Sequence, residues 1–102
     1  MRRRARTDNN HTTVVKALRQ AAIEPISLAE VGNGCPDLLV GFRGINVLLE
    51  VKDGDKTPGN RPLTAAQCAF HATWPGQICV VTSPEGAVTA VINAARKAGA
   101  FA

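Results

Sequence analysis

The sequence predicts an α/β fold of the α+β kind, one mixed central sheet flanked by helices in the order α-β-β-β-α-β-α, on three observations. Val14, Val15, Leu18 and Ala21-Ala22 recur at helical spacing near the start. Two Val- and Leu-rich runs, Leu38 to Val40 and Val47 to Val51, flank Gly41-Phe42-Arg43-Gly44-Ile45, a tight-turn signal joining two strands. In the second half, two helices with their own start signals bracket another apolar strand.

Each element has its reason. Asn9 or Asn10 can cap a first helix running to about Ala22, and Glu24-Pro25 stops it, because the residue before proline disfavours the helical region. Ile26 to Val31 is a short apolar strand, followed by the turn-rich Gly32-Asn33-Gly34-Cys35-Pro36. The hairpin occupies 37–52, and its apolar strands suit a sheet covered on both faces. Residues 53–62 hold two Pro and two Gly and form a long loop, mildly cationic through Lys56 and Arg61. Thr64 caps the next helix, with Gln67 at the third helical position of a capping box, and the helix reaches about Trp74. Leu63, Ala66, Phe70 and Trp74 form its apolar side. Gln77 to Thr82 is a buried strand, and Ser83-Pro84 opens a last helix that runs to about Lys97 and ends at Gly99.

A chain of 102 residues makes a single domain, placed at 9–102 behind a basic tail at 1–8. No apolar run approaches the roughly 20 residues that span a bilayer, and no secretory apolar segment follows the first arginines, so a cytoplasmic protein without a membrane partner is expected. Three cysteines, Cys35, Cys68 and Cys79, are odd in number and widely spaced, which argues for buried free thiols rather than a disulfide framework. With His11 and His71 they show no zinc-ligand spacing. The formal net charge of +4 suits a polyanionic partner, with Arg2, Arg3, Arg4 and Arg6 as candidate contacts alongside Lys56 and Arg61. A solvated tail explains the same arginines.

The chemistry concentrates in the hairpin. A turn centred on Arg43-Gly44 pairs residues whose numbers sum to 87, which sets Asp37 opposite Glu50 with Cβ atoms about 5 Å apart. Lys52, two residues beyond Glu50, shares that face because strand side chains alternate. Two carboxylates that close repel unless neutralised, and a divalent cation with hard oxygen ligands is the usual neutraliser. A three-residue turn would instead shift the register by one and move Asp37 to the other face. Charged residues that merely end a strand in solvent are the plainer alternative.

Pro36-Asp37, Glu50-Val51-Lys52 and Leu63-Thr64-x-x-Gln67, in this element order, resemble the PD-(D/E)XK nuclease superfamily with its restriction-endonuclease-like core. Gly32-x-Gly34-Cys35-Pro36-Asp37-Leu38-Leu39-Val40-Gly41 and Leu49-Glu50-Val51-Lys52-Asp53-Gly54 look most like its stand-alone VRR-NUC branch of phages and bacteria. The resemblance implies a Mg²⁺- or Mn²⁺-dependent endonuclease acting on branched DNA such as four-way junctions or flaps, in a bacterial cell or phage-infected host, with no small-molecule cofactor. It implies that Asp37, Glu50 and the Val51 backbone carbonyl ligate the metal, that Lys52 acts on the attacking water and the phosphate charge, and that Gln67 lines the site. A capping-box role explains Gln67 without chemistry, and both readings stay open. The chain departs from the family at the first helix, where Asn10-His11-Thr12-Thr13-Val14 holds no carboxylate. His11 is the candidate substitute there, or a plain helix-start residue. A homodimer is expected because so small a domain offers little surface for a branched duplex. The alternative is a catalytically inactive DNA-binding or assembly module that keeps the fold.

Overall fold

The hairpin turn sets the register of the sheet. In the computed structural model, which describes residues 9–53 and 63–101, Arg43 (φ 51°) and Gly44 (φ 85°) both take left-handed conformations. Two such residues make the two-residue turn whose twist matches the flanking strands. Strands β2 (Leu38–Phe42) and β3 (Ile45–Val51) pair antiparallel from Phe42↔Ile45 to Leu38↔Leu49, the register expected. The basic segment with Arg2, Arg3, Arg4 and Arg6, and the loop residues Lys56 and Arg61, lie outside the described residues.

The chain is α+β: helix α1 (Asn9–Gln20), strand β1 (Glu24–Ser27), the β2–β3 hairpin, helix α2 (Ala65–Thr73), strand β4 (Ile78–Val81) and helix α3 (Pro84–Lys97). The four-stranded mixed sheet has the order β1-β2-β3-β4, with β4 parallel to β3. This is the predicted element order, and it is consistent with a nuclease-like core. Leu38, Val40, Val47, Leu49, Val51 and Val81 form one sheet face and are buried with Val14 and Leu18 of α1 and Ala87, Val91 and Ala94 of α3. Period-2 alternation therefore puts Glu50 on the opposite face, where α2 lies.

Several boundaries differ from the sequence expectation. Helix α1 ends at Gln20, two residues early, because Ala22 turns left-handed (φ 63°) and the Ile23 amide donates to the Leu18 carbonyl at 2.9 Å. That Schellman closure packs Ile23 beside Leu18 in the core. Strand β1 begins at Glu24 rather than Ile26, so Pro25 lies inside it, buried opposite Val40. An edge strand tolerates a proline that a central one would not. Strand β4 is the other edge and is not fully buried, Val80 being 46% exposed. The second sheet face is thus covered only in part among the described residues, with Ile26 also exposed. Helix α2 buries none of its residues; Phe70 and Trp74 instead stack on each other at 5.2 Å between ring centroids. The cysteines are free, but Cys68 is exposed and Cys35 and Cys79 are half-buried, so the expected buried thiols are not found.

Candidate active site

Pro36 ends the β2 ladder and leaves the last amide of β3 to a side chain. Val51 is the next residue of β3 whose amide would bond to β2, and it donates instead to Asp37 Oδ2 at 2.7 Å. The amide and carbonyl of one residue in an antiparallel ladder point to the same neighbour, so the Val51 carbonyl also faces the Asp37 side. The Asp37 carbonyl accepts from the Leu28 amide at 2.8 Å, which fixes the backbone that carries this carboxylate.

Glu50 is 2% exposed, the one charged residue buried among the described residues. Burial, then the Asp37 carboxylate beside it, push its pKa up to about 8, against the opposing pull of Lys52. Without a cation, the site therefore keeps one proton at neutral pH. Gln67 joins the pieces: its Nε2 donates to Glu50 Oε2 at 3.2 Å, and its Oε1 accepts from Lys52 Nζ at 3.0 Å. The same Oε1 accepts from the Thr64 amide at 2.9 Å, while the Gln67 amide donates to Thr64 Oγ1 at 3.1 Å. The capping box and the site role are one arrangement. The cap holds the side-chain amide where it can bridge the carboxyl and the ammonium.

Two close approaches lock these elements. Gly34 (φ 80°) lies so near α2 that a Cβ there would stand 2.3 Å from the Ala66 carbonyl oxygen and 2.9 Å from the Gln67 amide nitrogen. Only glycine brings the loop and the helix start together in this way. Asn10 Nδ2 donates to the Lys52 carbonyl at 2.6 Å and the Thr82 carbonyl at 3.1 Å, pinning the start of α1 to the ends of β3 and β4. His11 follows it, half-buried at this helix start.

One participant was missed from sequence. His71, four residues after Gln67 on α2, places its Nε2 3.8 Å from Glu50 Oε1. Both atoms are buried without a hydrogen-bond partner. Burial, then the Lys52 charge, lower the His71 pKa, so the ring is held neutral. The i, i+4 spacing from Gln67 was the available signal, because residues so spaced share a helix face. Cys35 also adjoins the carboxyls: burial, then Glu50 and Asp37, raise its pKa and keep it a thiol.

Among the described residues, no three His, Cys, Asp or Glu side chains already stand in an ion-holding geometry. The carboxyls already have partners: Asp37 accepts from the Val51 amide, Glu50 accepts from Gln67, and the two carboxyls share a hydrogen bond. The donor types nonetheless suit a hard divalent cation: two carboxyl groups, a backbone carbonyl facing them, and a buried carboxyl oxygen with no bond of its own. No family model, curated protein or solved structure matches the chain.

Proposed function

We propose that this protein is a Mg²⁺- or Mn²⁺-dependent endodeoxyribonuclease of the VRR-NUC type that hydrolyses phosphodiester bonds in branched DNA, in the cytoplasm of a bacterial or phage-infected cell. The observation that supports this most is the Gln67 bridge, which holds Lys52 within one side chain of a buried Glu50 facing Asp37. Asp37, Glu50 and the Val51 carbonyl would hold the cation. When bound, the cation would polarise a phosphoryl oxygen and supply the charge that the two carboxylates need.

The chain's own groups do the rest. Lys52 presents an ammonium, oriented by Gln67, where negative charge builds on the phosphate. Gln67 keeps that ammonium from collapsing onto Glu50, since its amide lies between them. Asn10 holds the Lys52 backbone, so the side chain starts from a fixed point. The basic segment 1–8, with Lys56 and Arg61, would contribute salt-dependent affinity for the DNA backbone without reading sequence. A homodimer belongs to the same reading, and exposed Ile26, Val80 and Trp74 offer apolar surface for it.

The test is a panel of labelled duplex, flap and four-way-junction DNAs incubated with Mg²⁺, Mn²⁺ or EDTA. Metal-dependent cuts confined to branched substrates are expected. Binding with no cleavage under any metal would favour the inactive module, a reading that the carboxylate-free start of α1 supports.

A further inference from the structure

We infer that His71 is a ligand of the same cation as Glu50, and that its imidazole biases this centre toward a first-row transition ion such as Mn²⁺ over Mg²⁺. This rests on the metal-dependent reading above and names a residue and a selectivity that it does not contain. Glu50 Oε1 and His71 Nε2 are both buried, both without a hydrogen-bond partner, and 3.8 Å apart. That separation is too long for a hydrogen bond. It is short enough for one ion to touch both, since metal–nitrogen and metal–oxygen bonds run at roughly 2.1 Å each.

The neighbouring groups keep this gap open. Gln67 takes the other Glu50 oxygen, so Oε1 is the one left toward His71. Gln67 and His71 lie one turn apart on α2, so the helix that orients Lys52 also carries the imidazole to the carboxyl. Two orphaned polar atoms facing each other are costly in a folded chain and call for a shared partner. Mg²⁺ keeps to oxygen ligands and water, whereas a nitrogen donor strengthens binding of transition ions.

The experiment is Mn²⁺ titration of the full chain, read by calorimetry and by electron spin-echo modulation, with Mg²⁺ competition in parallel. The wild type, His71→Leu and His71→Gln are compared, with circular dichroism as the fold control. Nitrogen modulation on the Mn²⁺ signal of the wild type is expected, and it should vanish in both variants. Removing the ligand should weaken Mn²⁺ by about tenfold or more while Mg²⁺ shifts far less. Mn²⁺ bound without nitrogen modulation, with both variants unchanged, would overturn the role of His71 and leave the Asp37–Glu50 reading standing. A wild type that binds no Mn²⁺ at millimolar concentration would overturn both. A wild-type spectrum without nitrogen modulation overturns the role of His71 even where a variant fails to fold. Where modulation is present, a folded His71 variant that keeps it would assign the nitrogen to His11, the other histidine of the chain, and overturn the role as well.

Discussion

Replacing Glu50 with Gln should make the metal-free protein more stable at high pH, by an amount set by where its proton binds. In the folded chain the carboxyl is buried at 2% exposure beside Asp37, and its pKa is raised from 4.5 to about 8. Unfolded, it would return to its ordinary value. Below about pH 4.5 both states hold the proton and nothing is lost. Between that pH and about 8 the unfolded chain releases its proton while the folded chain keeps it, so stability falls as pH rises. Each pH unit in this window costs about 1.4 kcal/mol, giving a loss of up to ~4 kcal/mol from about pH 5 to about pH 8. Lys52 reduces the penalty by favouring the charged form. His71 acts with the opposite slope: its lowered pKa means that the unfolded chain binds its proton more readily, so that contribution to stability is lost as pH falls. Glu50→Gln leaves a carbonyl oxygen to accept from Gln67 and removes the titration. Urea unfolding in EDTA from about pH 5 to about pH 9 reads the difference. The wild-type free energy should fall toward pH 8 relative to that of Glu50→Gln, which keeps the His71 slope alone, the curves separating by a few kcal/mol. Parallel curves would refute the placement of a proton on Glu50.

The same geometry sets three further outcomes. Lys52→Met should lower single-turnover cleavage at saturating protein by about a hundredfold or more while Mn²⁺ affinity persists, because both carboxylates remain; cleavage at the wild-type rate would remove Lys52 from the catalytic group. Ala22→Gly should raise stability by about 1 kcal/mol in urea unfolding, since alanine at φ 63° carries a left-handed penalty that glycine does not; an unchanged midpoint would contradict it. Gly34→Ala should destabilise by about 1 kcal/mol or more and lower cleavage, because its Cβ would displace the backbone that sets Gln67; wild-type values of both would show that loop and helix are not in contact.

The hairpin was the most legible part of the chain. Arg43-Gly44 could supply two left-handed residues, and a turn centred there gives the observed register, although Val and Leu runs apolar on both faces did not by themselves exclude a shift by one. Asp37 facing Glu50 came from that register alone. Thr64 and Gln67 were equally legible as a cap, yet the bond from Lys52 to Gln67 was not, since it depends on where α2 sits against β3. For His71 the i, i+4 spacing from Gln67 gave the shared helix face, but its approach to Glu50 depends on the same packing of α2. Pro25 misled because a proline stops a helix but is also admitted to an edge strand, and no local feature says which neighbour β1 would lack. The apolar side of α2 predicted burial, but Phe70 and Trp74 satisfy each other in a stack rather than enter the core.

The most direct measurement is Mn²⁺-dependent cleavage of a labelled four-way junction by the wild type and by Asp37→Ala, both shown to be folded. Asp37 is half-buried and its loss relieves the crowding of Glu50, so the variant should fold. The expected result is cutting by the wild type, abolished by EDTA, and none by Asp37→Ala at any Mn²⁺ concentration. Cleavage by the folded variant at the wild-type rate would contradict the assignment of this carboxylate pair as the metal centre.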